Sequence, residues 1–288
     1  MSKQFIFNAE AVSAVFINHK HKGSLFYAPI FFILMVLAGF YCEAQSTVQL
    51  APPLLKYHSV FFKKTTNVEI KFALHGTQIH YTLNNQPPTE QSEIYTKSIH
   101  INKSFTTVKA FVSGNGFLPS EIVTAMFIKD GIKIKSVQQS PANTRFQGSG
   151  ATTLIDNEGG ITDMNASTWL GYQQDAVEIN MLLEKKQALS SVLINCLQNQ
   201  GSWIFLPAEI TVFYFDESKQ SFELFGEQLN RSNEKISTAS CQPIIIAASK
   251  KRKTEKIKII IKGIKNLPEW HVGKGQPGWL FVDEIKLY

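Results

Sequence analysis

The sequence predicts an all-β protein made of two sandwich domains. Val68–Leu74 and Ile79–Leu83 alternate apolar residues with polar or small ones, and Lys256–Lys262 places isoleucine between lysines. Alternation with a period of two puts one set of side chains in a core and the other in water, which is the pattern of a half-buried strand. The 288 residues, 44% hydrophobic and 18% charged, suffice for two packed domains, since a globular domain takes roughly 100–200 residues.

The first element along the chain is an apolar run without charge at residues 25–41, which follows two nearby lysines. Together with the small-x-small pattern that ends at Ala44, this run is typical of a secretory signal peptide, so residues 1–44 are predicted to be removed. The run is close to the lower limit of about 17 residues for a spanning helix, so an uncleaved anchor at 25–41 is the alternative. We therefore expect a secreted, periplasmic or cell-surface protein.

The first sandwich follows an extended entry at Pro52-Pro53. Short strands that recur about every ten residues, with turn residues such as Asn84-Asn85 between them, favour an antiparallel sandwich. Strands are predicted at 68–74, 79–83, 98–101, 107–112 and 122–127.

Three segments of this half carry a family pattern: IHYTLNNQPPT, SEIYTKSIHIN and TTVKAFVSGNGFLPS. They resemble the small chitobiase/β-hexosaminidase carboxy-terminal domain, which implies an immunoglobulin-like module at residues 50–128 without a catalytic residue. Asn85 stands where that family usually has glycine, and asparagine tolerates a left-handed turn almost as well. The matching positions are Tyr81, Thr82, Asn84, Pro88, Thr89, Ser92, Tyr95, Thr107, Val108, Lys109, Ala110 and Ser120.

Residues 129–134 are predicted to link this module to a second domain at residues 135–288. The second domain is again rich in strands, and about eight strands in about 150 residues suit a jelly-roll sandwich. The strands are predicted at 177–181, 190–196, 209–215, 221–225, 243–247, 257–261 and 280–287, among others.

Four segments of the second domain carry another resemblance: GSGATTLIDNEGG, STWLGY, GSWIFLP and EWHVGKGQPGWLFVDEI. They resemble the discoidin-like (coagulation factor 5/8 carboxy-terminal) domain, in the version that is attached to family 20 glycoside hydrolases. The resemblance implies a galactose-binding-like β-jelly-roll. It also implies a relation to the non-catalytic tail of β-hexosaminidases.

The protein is not expected to be an enzyme. Family 20 hydrolases use an Asp-Glu pair that follows His-x-Gly-Gly on a β/α barrel, whereas Asp283-Glu284 follows Trp-Leu-Phe-Val here. The barrel alone takes about 250 residues. In an alternating strand, the two carboxylates would point to opposite faces and could not flank one glycosidic bond.

Glu284 also has an interpretation as a calcium ligand. In calcium-binding members of the discoidin-like family, an acidic residue on the last strand meets an Asp turn near the start of the domain. The resemblance therefore implies a structural calcium site with Asp156 and Glu284, to which Asp163 and Thr168 could add ligands. Calcium prefers six to eight hard oxygen ligands, which carboxylates and loop carbonyls supply. The alternative is a salt bridge or a loop-capping carboxylate.

Sugar binding needs aromatic planes for the pyranose faces and a few polar groups for the hydroxyls. Trp270 and His271 lie in a loop rich in glycine and proline, so we predict that they are exposed and part of a binding face. Trp203 is a further candidate, and its alternative is a place in the core.

The basic run Lys250–Lys253 is predicted to be a solvated hairpin tip between two strands. Without interleaved aromatic residues or a groove-reading helix, it is weak support for nucleic-acid binding. The formal net charge of +6 is mild. We therefore expect no nucleic-acid partner, and an acidic glycan is left open as a ligand of this run.

Two cysteines, Cys196 and Cys241, would remain after signal cleavage. An oxidising compartment would permit a bridge between them, but the sequence does not place them within bonding distance. Free, buried thiols are the alternative.

The most favoured function is that of a non-catalytic, secreted carbohydrate-binding or accessory protein related to the tail of a β-N-acetylhexosaminidase. Its expected partners are a glycan that contains N-acetylhexosamine or galactose and a separate glycoside hydrolase. The alternatives are a structural module that binds another protein and a fragment of a split β-hexosaminidase.

Overall fold

The computed structural model describes residues 48–230 and 234–288. Val48–Tyr288 forms one compact unit. The predicted signal peptide at 1–44 and the alternative anchor at 25–41 lie outside the described residues. Within the described part of the chain, no helix is both long enough and apolar enough to cross a membrane.

The amino-terminal part, up to residue 129, forms a small sandwich. Its strands are β1 (Val48–Gln49), β2 (Leu54–Lys56), β3 (Phe61–Phe62), β4 (Thr66–Lys71), β5 (Thr77–Thr82), β6 (Glu93–Ile94), β7 (Ile99–Ile101), β8 (Phe105–Gly114), β9 (Phe117–Leu118) and β10 (Val123–Lys129). The sheets β2-β4-β7 and β3-β10-β8-β5-β6 enclose a core in which Val68, Val108 and Phe127 are fully buried, while β1 pairs with β9. The alternation predicted from Val68 onwards is confirmed, but β4 ends at Lys71 and Leu74 is exposed in the turn that follows.

The carboxy-terminal part is a larger sandwich, here called the jelly roll. Its strands are β11 (Ile134–Gln139), β12 (Leu170–Tyr172), β13 (Val177–Gln198), β14 (Glu209–Asp216), β15 (Ser221–Leu229), β16 (Ser240–Lys262) and β17 (Leu280–Leu287). They form a sheet of order β12-β17-β13-β16-β14-β15, in which β11 also pairs with β13. Two 3-10 helices, Gly150–Leu154 and Gln200–Ser202, are the only helices in the described residues. The predicted all-β sandwich class is confirmed.

Strands β13 and β16 are too long to stay in one layer of the sandwich. At about 3.3 Å per residue, a straight β13 would extend about 70 Å. The β13–β16 ladder shifts register between Leu182 and Gln187 and again between Leu189 and Ser191. Both halves of each strand nevertheless line the same buried core. The sheet therefore folds over itself at these bulges, which bend strands in this way.

The basic run Lys250–Lys253 lies inside β16 and not at a hairpin tip, so that prediction is wrong. The strands predicted at 243–247 and 257–261 are two halves of β16, and those predicted at 177–181 and 190–196 are two halves of β13. The alternation stops where the strands bend. Pairing between the strands nevertheless resumes on both sides of each register shift, so the chain makes no turn there.

The two sandwiches share a buried contact. Leu193 of β13 is fully buried and packs with Val60 and Phe61 in the core of the amino-terminal sandwich. Gly160 lies in the loop at residues 157–160 of the carboxy-terminal sandwich. A Cβ atom added to Gly160 would overlap Cγ2 of Val60, so this loop is in direct contact with the amino-terminal sandwich. The Tyr288 hydroxyl donates to the carbonyl of Lys129, with 2.8 Å between the oxygens.

The two cysteines are free thiols. In the β13–β16 ladder, Cys241 lies opposite Leu197 and Cys196 lies opposite Gln242. Because successive side chains of a strand point to opposite faces, the two thiols lie on opposite faces of the sheet and cannot pair. Burial raises the pKa of both thiols.

Candidate functional site

Three loops meet at one end of the jelly roll around Gln200. Its side-chain Nε2 donates to the carbonyl of Glu234 at 2.9 Å, and its Oε1 accepts from the backbone N–H of Ile236 at 2.7 Å. Its own carbonyl oxygen lies 2.9 Å from Nε2 of His271. One residue thus ties together the loops that follow β13, precede β16 and precede β17.

A cleft of about 450 Å³ opens beside this junction. Ligand pockets usually fall in the range of about 300–1,000 Å³. Phe205 and Leu206 supply an apolar wall, whereas most of the polar lining consists of amides, which carry both donors and acceptors but no charge. Glu234 adds one carboxylate to the lining, so the cleft is suited to a polar ligand without negative charge. The lining amides are Gln198, Gln200, Asn230, Gln242 and Asn266.

His271 is buried, with 8% of its surface exposed. Its Nδ1 accepts from the backbone N–H of Gly273 at 3.1 Å, so Nε2 carries the proton and donates to the Gln200 carbonyl. The prediction that His271 is exposed is wrong, because both of its ring nitrogens hold the loop together. The next residue, Val272, is the large apolar side chain that this loop exposes, at 92%.

Trp203 and Trp270 flank His271 on either side. Trp203 ends the helix Gln200–Ser202 in a left-handed conformation (φ 66°), and its ring meets that of His271 edge to face at 5.4 Å. Gly273 lies so close to the Trp203 ring that a Cβ atom there would overlap it. Trp270 is half-buried, 6.1 Å from Phe205 between ring centroids. Phe205, which the sequence analysis did not single out, is the aromatic residue that lines the cleft.

Asp283 is the extra residue of a β-bulge in β17. Asn195 lies opposite Glu284 and Cys196 lies opposite Val282, so no residue of β13 lies opposite Asp283. Both carboxylates therefore face the loop at 157–160: Gly160 N–H donates to Asp283 at 2.7 Å, and Asn157 N–H donates to Glu284 at 2.8 Å. The prediction of opposite faces is wrong because a bulge interrupts the alternation. Both side chains are fully buried, so a substrate cannot reach them.

Asp283 and Glu284, here called the acidic corner, have a positive charge beside them in the ammonium of Lys286. Its Nζ donates to Glu284 at 2.7 Å and to the Asn157 side-chain oxygen at 2.8 Å, and it pairs with Asp130 at 3.1 Å. The Phe61 ring lies 5.8 Å away. Lys286 is 2% exposed, so its charge is neutralised inside the protein and not by water.

The four predicted calcium ligands do not form a metal site in the described residues. The Glu284 carboxylate is bound by Lys286, while Asp156 and Asp163 each accept an N–H from their own turn. The Thr168 hydroxyl is buried without a hydrogen-bond partner. In the described ranges, no group of three or more His, Cys, Asp or Glu side chains could hold a metal ion. The residues do not fit calcium, and calcium binding stays a prediction.

Burial governs the protonation of the acidic corner. Burial raises the pKa of Asp283 to about 7, although N–H donors from Gly160 and Asn195 act in the opposite direction. Burial also raises the pKa of Glu284, and Lys286 offsets part of that increase.

The free energy of unfolding is expected to decrease as the pH rises from about 5 to above 7. The folded-state pKa of Asp283 lies above its ordinary value of 3.8, so the folded protein binds more protons than the unfolded chain across this window, and raising the pH favours unfolding. Urea denaturation at pH 6 and pH 8.5 measures the effect, with a higher midpoint expected at pH 6. Asp283→Asn should weaken the dependence, and part of it should remain because burial also raises the pKa of Glu284. Equal midpoints in the original protein would contradict the prediction.

The family model described as Fn3 associated matches residues 68–127. These residues run from within β4 to within β10, so the match lies inside the amino-terminal sandwich. No protein with a curated description matches the chain.

Several solved structures are similar to parts of the chain. A family 32 carbohydrate-binding module of EndoD from Streptococcus pneumoniae is 13% identical with a TM-score of 0.36, and the match covers 55% of this chain and 96% of that one. A chitosan-binding module from a Paenibacillus chitosanase/glucanase is 13% identical with a TM-score of 0.35, over 55% and 98%.

A family 29 fucosidase from Ruminococcus gnavus in complex with fucose is 15% identical with a TM-score of 0.32, over 53% of this chain and 25% of that one. The chain thus spans about a quarter of the length of the fucosidase that it matches. Similarities at these sequence identities and TM-scores support no conclusion about function.

Proposed function

We propose that the protein binds a neutral carbohydrate in the amide-lined cleft and has no catalytic activity of its own. The observation that carries this proposal is the lining of the cleft, in which five residues with amide side chains line a space of about 450 Å³. One of them, Gln200, already binds backbone groups of Glu234 and Ile236 with its amide. Sugar hydroxyls both donate and accept hydrogen bonds, as amides do, so the two sets of groups are complementary. Glu234 is the charged residue among the described residues that line the cleft, and the other polar lining residues are uncharged amides.

The apolar wall of the cleft supports the same proposal. Phe205 stands at the cleft with Trp270 beside it, at 6.1 Å between ring centroids. Phe205 is 7% exposed, so it contributes to the apolar wall and does not offer its ring face. Apolar side chains with a few convergent polar groups are the usual composition of a small-molecule site. Trp270 is therefore proposed to pack beside Phe205 and not to contact the ligand itself.

The finer parts of the proposal rest on sequence segments. The likeness of GSWIFLP and EWHVGKGQPGWLFVDEI to β-hexosaminidase tails favours a ligand with N-acetylhexosamine or galactose and a partner glycoside hydrolase. The apolar run at 25–41 favours a secreted or cell-surface location.

The double variant Gln242→Ala/Asn266→Ala is expected to weaken glycan binding by about 10-fold or more, since each lost hydrogen bond contributes about 0.5–1.5 kcal/mol. A glycan array identifies the ligand, and isothermal titration with that ligand measures the change. Gln174→Ala removes an exposed amide outside the cleft and is the matched control.

Equal binding by the double variant and the Gln174 control would place the site elsewhere. A folded protein that binds no glycan on the array would contradict the proposal. That result would favour the alternative of a structural module that binds another protein.

A further inference from the structure

A second pocket lies at the far end of β14 from the cleft. Strand β14 starts at Glu209, next to the cleft residue Ala208, and ends at Asp216, which lines the second pocket. The pocket has a volume of about 570 Å³. It lies where β13 and β16 bend, and basic residues of both bends line it. These are Lys186 from β13 and Lys251, Arg252 and Lys253 from β16.

The pocket has an excess of positive charge. Of its two carboxylates, Glu217 forms an ion pair with Lys186, and Asp216 accepts from the backbone N–H and the hydroxyl of Ser218 at 2.9 and 2.6 Å. In the part of the chain that the structure describes, no ion pair involves Lys251, Arg252 or Lys253. Three basic residues and one carboxylate without an ion pair thus line the pocket.

Arg252 is held in a fixed position without an acceptor for its buried donor. It lies opposite Leu189, a core residue, so its side chain leaves the core and reaches the pocket with its stem buried. The guanidinium lies 5.1 Å from the centre of the Tyr214 ring. Its Nε atom is buried and has no hydrogen-bond partner. A buried donor without an acceptor is unusual in a folded protein. Because Nε is out of reach of solvent, a ligand in the pocket would contact the terminal guanidinium nitrogens.

We infer that this pocket binds the carboxylate or sulfate groups of an acidic polysaccharide, with Arg252 as the central contact. The inference rests on the proposed function, since it takes the ligand to be a glycan. The planar guanidinium can offer two parallel N–H donors to one carboxylate or sulfate, and Lys251 and Lys253 add positive charge to the same pocket.

Nucleic acid fits this pocket less well than an acidic glycan. Proteins that bind single strands stack bases on exposed aromatic rings. Tyr214, the aromatic residue that lines the pocket, is 7% exposed and already stacks with Arg252.

The test is titration of the full protein with polygalacturonate and with heparin, next to a neutral galactan. Arg252→Gln is expected to weaken binding of at least one acidic polymer by about 10-fold or more. The matched control is Lys250→Gln, which removes the same charge from a neighbouring exposed residue that does not line the pocket, and it should change affinity by less than about 2-fold. The double variant Lys251→Gln/Lys253→Gln changes only exposed side chains and tests the site even if Arg252→Gln fails to fold.

The inference is overturned if neither acidic polymer binds, or if Arg252→Gln and Lys250→Gln lose the same affinity. If an oligo-dT strand binds as tightly as the acidic polymers and Arg252→Gln abolishes that binding, the ligand of the pocket is nucleic acid and not a glycan. Neutral-glycan binding without acidic-glycan binding rejects the basic pocket and keeps the cleft. The reverse result keeps the basic pocket and rejects the cleft.

Discussion

Lys286→Met is expected to lower the free energy of unfolding by about 3–5 kcal/mol, because removing one partner of a buried ion pair leaves the other without compensation. Lys286 is 2% exposed and supplies the donor to both Glu284 and Asn157. The methionine chain is similar in length but brings no donor. Urea denaturation followed by tryptophan fluorescence measures the loss.

The matched control for this prediction is Lys262→Met. Lys262 of β16 forms an ion pair with Glu209 of β14, but both side chains are partly exposed, at 44% and 30%, so water can replace the interaction and little change is expected. Adding Glu284→Gln to Lys286→Met should restore part of the stability, because it removes the uncompensated carboxylate. If Lys286 is the cation of this corner, a chelator should not change the melting temperature of the original protein. A marked decrease with chelator would instead support the predicted calcium.

Gly160→Ala is expected to destabilise the protein by about 2–5 kcal/mol. Gly160 has a φ of +69°, and a left-handed conformation costs other residues roughly 1–2 kcal/mol. The added Cβ would also overlap Val60 of the amino-terminal sandwich, and such overpacking costs about 1–3 kcal/mol. Thermal unfolding measures the sum of the two effects.

Gly150→Ala separates these two effects. Gly150 has nearly the same φ, +70°, but no atom lies within 4 Å of its added Cβ, so only the backbone cost remains. The double variant Gly160→Ala/Val60→Ala should recover part of the loss by making room for the methyl group. Equal effects of Gly160→Ala and Gly150→Ala would contradict a tight contact between the loop and the amino-terminal sandwich.

Sequence reasoning was most reliable where the structural signal is local. The alternation at Val68–Ile70 and at Ile257–Ile261 predicts strands because the side chain of every second residue faces the core, and these residues are buried. The bulge at Asp283 could not be predicted, since it depends on how β17 pairs with β13, 88 residues away in the chain. That one extra residue brought both carboxylates to the same loop.

The candidate cleft could not be found from the sequence for a related reason. Gln198 and Gln242 come from β13 and β16, and Asn266 from the loop before β17, so only the sheet topology brings them together. Amides are common on any protein surface and give no motif. The tryptophans attracted attention by residue type, whereas Phe205 lines the cleft.

The buried contact between the two sandwiches has a consequence for avidity. A binding module on a flexible linker samples many positions, and its effective concentration near a second site depends on linker length. Here Leu193 and Gly160 of the jelly roll pack directly against the amino-terminal sandwich. The direction in which the cleft opens is thus fixed relative to that sandwich. If several copies of the protein bind one polymer, the spacing between the copies, and not the length of a linker, will determine which repeats of the polymer can be bound at the same time.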